Sequence, residues 1–474
     1  MILKEYSIHK VDYFKTVPNF NKALKNTNRI YSLLKKLHFE GTSFPGKLLR
    51  QNYKGFLTDA QDYAISDRFA ITGTNGKTTT AGILAQILKE AEHSVIHNEL
   101  GANMPNGIAT AVALGLYKVL KDNPVQRVDN YVIECDEAYL APLFHEMKFD
   151  YLLITNLFRD QLDRYGELDI TKKKIQKGIE LNEDVTLILN ADDPTLSDID
   201  HKLSDGRIRK KIYYGIENIT FAGYDKTSKS PSETIYCSKC TLPLQYKKRF
   251  YSQLGKWYCA CGNKRPEPDI KADVKVFPDH FFLHITYKEK PYTFKVNLTG
   301  LYNAYNALGA ISCALINGVE RRFIDKALEN YKPAFGRNET VFLRGKPATV
   351  YLIKNPVGAS EVLRGLKNLE NTSILISIND NYADGRDVSW LWDSDFESLK
   401  DFKGNFFLTG SRADDMALRL KYAGCDTGSV LIDSNIKRSL EDAVEKLQFN
   451  EKLVILTTYT SLLKMTKLFR GMKK

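Results

Sequence analysis

The chain has no run of 18 apolar residues, which excludes a membrane-crossing helix. Its opening, MILKEYSIHKVDYF, has no apolar h-region and no cleavage site, so a cytoplasmic location is expected rather than export. Neither an internal repeat nor a low-complexity tract occurs, so nothing points to a repeat architecture. Cysteine is scarce: seven residues, an odd number with no extracellular framework, four of them clustered. That excludes a disulfide scaffold and points to a metal in a reducing compartment. What remains is a 474-residue chain with 43% hydrophobic and 26% charged residues, enough for two or three soluble domains with real cores. A formal charge of +11 favours anionic partners: nucleotide, acidic substrate, anionic lipid or nucleic acid.

Residues 68–90, RFAITGTNGKTTTAGILAQILKE, carry the strongest signal. Phe69-Ala70-Ile71-Thr72 reads as a strand and Gly73-Thr74-Asn75-Gly76 as a tight turn. Ile83, Leu84, Ile87 and Leu88 then fall at helical spacing behind Lys77-Thr78-Thr79. Strand, glycine turn, Lys-Thr and helix form a layout for a nucleotide triphosphate. N–H groups at a helix start meet the phosphates, and the helix dipole favours their charge. Lys77 reaches the terminal phosphates in such a layout, and the Thr78 hydroxyl ligates Mg²⁺. An ordinary strand-to-helix turn is the plainer reading, and the surrounding context disfavours it. Ile71 stands where a strict P-loop has its first glycine.

Residues 1–45 read as a basic helical extension. Leu24, Ile30, Leu33, Leu34 and Leu37 lie at roughly helical spacing beside Lys25, Arg29, Lys35 and Lys36. Such a helix can lie on an anionic membrane. Packing its apolar side on the next domain is the plainer reading, and the two are not exclusive. Pro45-Gly46 is expected to break the segment. Beyond it, strands alternate with helices and end in polar loops. Asn130–Ile133 precedes Glu134-Cys135-Asp136-Glu137, Tyr151–Thr155 precedes Asn156–Gly166, and Val185–Leu189 precedes Asn190-Ala191-Asp192-Asp193-Pro194. This is the pattern of a parallel doubly wound α/β sheet, whose ligands bind at the carboxyl ends of its strands. A strand-end carboxylate beside a phosphate turn suits Mg²⁺, which favours Glu134 and leaves Asp136 and Glu137 open. Asn303 and Asn306 share one face of a helix start, where their amides can read a purine edge or cap the helix.

Cys237 and Cys240 are joined to Cys259 and Cys261 through 18 residues, a hairpin's length. Four thiolates so spaced suit tetrahedral Zn²⁺ in a closed, scaffolding site. Zinc ribbons also bind nucleic acid, but Lys247-Lys248-Arg249 is a small cluster that reads as a solvated face. Pro333–Glu339 reads as a linker, after which strands and helices alternate again. Two strand-end loops stand out there: Lys354-Asn355-Pro356-Val357-Gly358, and residues 379–393 with Asp380, Asp384, Asp387, Asp393, Trp390 and Trp392. A long polar loop at a strand's carboxyl end is more often functional than not.

Together these motifs resemble the Mur ligases, whose shorter glycine spacing accounts for Ile71. The four-Cys insertion, Arg159-Asp160-Gln161-Leu162-Asp163-Arg164-Tyr165-Gly166-Glu167, and Asp384-Gly385-Arg386-Asp387-Val388-Ser389-Trp390 narrow the resemblance to the MurT-like branch. The resemblance implies a Mur-type central ATP-binding domain at 46–335, with a zinc ribbon inserted at 235–268. It also implies a Rossmann-like C-terminal α/β domain at 340–474. The implied reaction is ATP-dependent amidation of the D-glutamate α-carboxylate in the lipid II stem peptide, through an acyl phosphate. A GatD-like glutaminase is the implied source of ammonia, and the work is placed at the inner face of the membrane, with a peripheral contact to it. Gly73, Thr74, Asn75, Gly76, Lys77, Thr78 and Thr79 would hold ATP, with Asn306 and Arg337 at family positions near the nucleotide. Thr78 and Glu134 would hold Mg²⁺, and Cys237, Cys240, Cys259 and Cys261 would hold Zn²⁺. Lys77, Glu134 and Asp384 are the implied catalytic residues. Asp384 would orient a histidine of the partner, with Asp387 as the fallback. The sequence agrees on one point: no Gly-x-Cys-x-Gly elbow occurs, so a thiol that releases ammonia must come from another chain. The register of the carbamylated lysine of many Mur ligases lands on Ile175, beside Lys174, and no such lysine is assigned. An amino-acid-adding Mur or folyl-polyglutamate ligase is the first alternative. A nucleotide-binding zinc-ribbon protein that binds nucleic acid is the second, and no nucleic-acid partner is expected.

Overall fold

The computed structural model describes residues 18–37, 43–99, 102–123, 126–158, 168–200, 208–221, 235–277, 279–333, 337–366 and 370–472. Two sheets organise them. The first is built from β1 (Arg68–Thr72), β2 (Val95–His97), β3 (Asn130–Glu134), β4 (Tyr151–Ile154), β5 (Thr186–Asn190), β6 (Lys211–Phe221), β9 (Ile270–Val276), β10 (Phe281–Tyr287) and β11 (Lys290–Val296). Between β6 and β9 a separate hairpin intervenes, β7 (Gln245–Tyr251) and β8 (Leu254–Tyr258). The order across the large sheet is β11-β10-β9-β6-β5-β4-β1-β3-β2.

Residue alternation explains the layers. Along β1, Phe69 and Ile71 enter one core while Ala70 enters the other. The helices Lys77–Glu90 and Leu301–Ile316 cover the first face, and Pro105–Leu120 and Leu168–Glu180 cover the second. Ile71 is fully buried in its strand, so the phosphate turn begins two residues later at Gly73. The sheet is parallel from β2 to β9, as the sequence pattern predicts. It departs from that expectation at β10 and β11, which pair antiparallel. Their two-residue turn, Lys288-Glu289, has positive φ at both positions, the hairpin geometry that matches strand twist.

The second sheet contains β12 (Arg337–Leu343), β13 (Lys346–Leu352), β14 (Thr372–Ser377), β15 (Phe406–Thr409), β16 (Val430–Ile432) and β17 (Lys452–Thr457), ordered β12-β13-β17-β14-β15-β16. All neighbours are parallel except β12 with β13. Ile374, Ile376, Phe406 and Leu408 fill one core, and Leu375 and Phe407 the other.

Two expectations need correction. The linker read at Pro333–Glu339 is shorter, because Arg337 already pairs with Tyr351 and opens β12. An edge strand shows one side to water, so its start carries no apolar run to announce it. Pro45-Gly46 does not break the N-terminal segment but lies in the first turn of the helix Ser43–Asn52. Proline is tolerated there because the first N–H groups of a helix have no helical acceptor to lose. Gly46 lets this helix lie on Pro105–Leu120: a Cβ would stand 1.8 Å from the Asn106 carbonyl oxygen. The helix Pro18–Lys36 packs inward through Phe20, Leu24 and Thr27, whereas Leu33 and Leu37 of the expected apolar row are exposed. Phe20 stacks on Phe56 and Tyr63 at 5.4 and 5.1 Å. Among the described residues no helix is long and apolar enough to cross a membrane.

Candidate active site

The phosphate turn sits at the carboxyl end of β1, between the ends of β3 and β4. Gly76 precedes the helix Lys77–Glu90 with φ of +89°, and a Cβ there would meet Asn306 Oδ1 at 1.9 Å. Only glycine allows both that backbone and that approach. Asn306 is thereby placed against the turn, held by its Nδ2 donating to Asn303 Oδ1 at 3.2 Å. Asn303 in turn donates to the Thr299 carbonyl at 2.8 Å, so here the amides build the helix start. Thr74, Lys77, Thr78 and Thr79 are all buried.

Glu134 closes β3 beside this turn. Its backbone is clamped by the Asn98 amide, which accepts from Glu134 N at 2.9 Å and donates to its carbonyl at 2.8 Å. Asn103 donates to Glu134 Oε1 at 3.3 Å. Glu134 Oε2 is buried and has no hydrogen-bond partner among the described residues. A buried, unpartnered carboxylate oxygen beside a phosphate turn fits a Mg²⁺ ligand, because such an oxygen is costly unless it meets a cation. The next two acids have other roles. Asp136 Oδ1 accepts from Ala138 N at 3.1 Å and caps the following turn. Glu137 forms a buried ion pair with Lys77, Nζ to Oε2 3.1 Å, while Nζ also donates to the Gly73 carbonyl at 2.5 Å. Burial pushes the Glu137 carboxyl up, against the opposing charge of Lys77.

Neighbouring strand ends tie the turn laterally. Asn156 Oδ1 accepts from Asn75 N at 3.0 Å, its Nδ2 donates to the Asn75 carbonyl at 3.1 Å, and its own carbonyl accepts from Thr74 N at 2.9 Å. From the second sheet, Asn355 Nδ2 donates to Asn75 Oδ1 at 2.9 Å. The loop after β5 is held by the cysteine hairpin. Gln253 Nε2 donates to the Leu157 carbonyl at 2.7 Å and to Asp193 Oδ1 at 2.8 Å. Trp257 Nε1 donates to the Ala191 carbonyl at 3.1 Å. Asp192, fully buried, accepts from Arg265 Nε at 2.6 Å, Tyr305 OH at 2.8 Å and Ile216 N at 2.9 Å. Burial pushes the Asp192 and Asp193 carboxyls up, and Arg265 and hydrogen-bond donors oppose it. The four cysteine Sγ atoms lie within 4.8 Å of one another, a donor set that suits a closed tetrahedral thiolate site.

At the carboxyl end of β14, the buried Asp384 accepts from Thr460 N at 2.7 Å and from the Thr460 hydroxyl. Asp387 is less buried, and its Oδ1 accepts from Ser389 N at 2.8 Å within its own turn. The three cysteines outside the hairpin, Cys135, Cys313 and Cys425, are buried. Burial pushes all three thiols up, that of Cys425 to about 11, so none is a poised thiolate.

Residues 71–250 match the Mur ligase middle domain, and 352–462 match the MurT ligase C-terminal domain. Over 424 residues the chain is 34% identical to the lipid II isoglutaminyl synthase (glutamine-hydrolyzing) subunit MurT of Staphylococcus aureus strain COL, covering 89% of this chain and 91% of that one. The chain belongs to the MurT family. The Streptococcus pneumoniae subunit of the same description is 33% identical, covering 90% of this chain and 92% of that one. Among solved structures, MurF from Acinetobacter baumannii is similar in fold, with TM-score 0.63, 13% identity, and 90% and 80% of the two chains covered. A pseudomurein peptide ligase type C from Methanothermus fervidus gives TM-score 0.62 at 21% identity, covering 87% and 79%.

In this MurT-family chain, the fold brings Gly73 to Thr79, Glu134 and Asn306 into one cluster and the four cysteines into another. Asp384 lies in the loop after β14 of the second sheet, hydrogen-bonded to Thr460. Arg337 opens β12, and its side chain lies outside the described residues, as does the whole 159–167 segment. Sequence reasoning missed Glu137 as the partner of Lys77, and Gln253 and Arg265 as the residues that dock the hairpin. Glu137 was visible as an acid at a strand end. Nothing in the spacing of Gln253 or Arg265 signals a partner.

Proposed function

We propose that this chain is the synthetase subunit of a lipid II isoglutaminyl synthase, an ATP-dependent carbon–nitrogen ligase that converts the D-glutamate α-carboxylate of the stem peptide to an amide. ATP would lie with its phosphates on the 73–78 turn, against the Gly76–Asn306 contact. Lys77, now on the Gly73 carbonyl and Glu137, is positioned to turn its ammonium toward the transferring phosphoryl group. Mg²⁺ held by Thr78 and Glu134 would supply neutralisation of phosphate charge. The substrate carboxylate oxygen bonds to the γ-phosphorus as the bond to ADP breaks. Ammonia then bonds to the acyl carbon, loses a proton, and phosphate leaves.

Ammonia would come from a GatD-like glutaminase. Asp384, fixed by Thr460 at a strand end, is the carboxylate we assign to orienting the partner's catalytic histidine. Zn²⁺ in the four-cysteine site would act as scaffold, bracing the loop after β5 through Gln253, Trp257 and Arg265. We place the work at the inner face of the membrane, where a lipid-linked substrate is found. The observation that carries the reading is the MurT-type C-terminal sheet, whose Asn355 reaches the phosphate turn at Asn75. The test supplies purified chain with ATP, Mg²⁺ and lipid II, with ammonium in one arm and amino acids in the other, and follows the product by mass spectrometry. Amidated stem peptide is expected. Amino-acid addition in place of amidation would overturn the reading in favour of an ordinary Mur-type ligase.

A further inference from the structure

The helix Pro18–Lys36 has more apolar surface than its core contact uses. Phe20, Leu24 and Thr27, spaced i, i+4, i+7, face inward and are buried. A second apolar row, Ile30, Leu33 and Leu37, runs beside it at i, i+3, i+7. Leu33 and Leu37 are each 58% exposed, and Leu37 N donates to the Leu33 carbonyl at 3.0 Å, so the helical turn continues that far. A third row, Lys22, Lys25, Arg29 and Lys36, is exposed along the far side of the second. The neighbouring helix Ser43–Asn52 adds Phe44, 51% exposed, and the exposed Lys47. These two helices hold seven basic side chains and no acidic one.

We propose that this surface docks on an anionic phospholipid membrane, with Leu33, Leu37 and Phe44 entering the headgroup boundary and the basic row meeting lipid phosphates. An exposed apolar row flanked by one of lysine and arginine is the arrangement by which a surface helix lies in a bilayer interface. The surface is also wired to the site. Arg50 Nη1 donates to Asn106 Oδ1 at 2.8 Å, and three residues earlier Asn103 donates to Glu134. Docking here holds the reacting loops beside the bilayer, which is useful because, on the reading above, the acceptor is lipid-linked.

The test is co-sedimentation of the full chain with vesicles of phosphatidylglycerol and phosphatidylcholine in equal parts, against phosphatidylcholine alone. Binding to the anionic vesicles is expected to be about ten-fold tighter or more, and to weaken with salt. Leu33→Glu/Leu37→Glu is expected to reduce it to the phosphatidylcholine level, with an unchanged thermal midpoint and unchanged binding of a fluorescent ATP analogue. Equal binding to both vesicles, no binding, or an unaffected double variant overturns the proposal. So does a double variant that splits a dimer into monomers, which would assign the patch to a second copy. Vesicle binding reads no amide chemistry, so lost amidation with binding intact refutes the functional reading alone.

Discussion

Arg265→Ala tests whether the cysteine hairpin braces the loop after β5. Arg265 Nε lies 2.6 Å from Asp192 Oδ1, and Nη1 lies 2.8 Å from Glu217 Oε1. Asp192 has no exposure and Arg265 side-chain exposure is 8%, so solvent screens the first pair little. Removing the guanidinium leaves a buried carboxylate with, among the described residues, only the Tyr305 hydroxyl and Ile216 N–H as donors, a change that typically costs about 3–5 kcal/mol. The cost depends on pH. Burial already holds the Asp192 carboxyl above its ordinary value. A raised folded-state value means that this group's contribution is complete below its unfolded value and is lost as pH rises through the folded one. Without Arg265 the folded value climbs further. The variant's deficit should therefore widen as pH rises above the ordinary carboxylate range, by about 1.4 kcal/mol for every tenfold weakening of the carboxyl's acidity. Urea unfolding followed by tryptophan fluorescence reads this, since Trp257 is buried in the hairpin and donates to Ala191. Asp192→Asn combined with Arg265→Ala should recover most of the loss, because no buried charge remains. A deficit below about 1 kcal/mol, or one that does not change with pH, would refute the reasoning.

Three further outcomes follow from the same geometry. Glu134→Gln should lower kcat by about a hundred-fold or more and raise the Mg²⁺ concentration needed for half-maximal rate; an unchanged Mg²⁺ dependence would remove Glu134 from the metal site. Asp384→Asn should abolish glutamine-dependent amidation in the presence of the glutaminase while ammonium-dependent amidation persists, and retention of full glutamine-dependent activity would sink the assignment. Zinc analysis should find one ion per chain, and Cys259→Ser should lower that content and increase hydrogen exchange in residues 190–194; a metal-free wild-type chain would refute the ribbon.

The motifs that sequence reasoning located are local ones, and that is why they were legible. Gly73 to Thr79 is a strand, a turn and a helix start in one stretch, and the cysteine pairs announce themselves by spacing. The ties that align these motifs are not local. Glu137 is 60 positions from Lys77, Arg265 is 73 from Asp192, and Asn355 is 280 from Asn75. A parallel sheet makes such distances unavoidable, since each strand end is delivered by its own crossover. Sequence periodicity therefore predicts that polar loops gather at the carboxyl edge, but not which side chain meets which. The same limit explains the two boundary errors. Pro45-Gly46 looks like a break because its acceptor surface, the Asn106 carbonyl, belongs to another helix. Arg337 looks like linker because its strand is defined by pairing with Tyr351, not by its own residues. Asn75 shows what the lateral ties accomplish. Its N–H and carbonyl are both engaged by Asn156, and its side-chain oxygen by Asn355. Thr155 Oγ1 also donates to that carbonyl at 2.7 Å, so the turn is held at Asn75 by two residues of its own sheet and one from the second, and a shift of the second sheet is felt at the turn through Asn75.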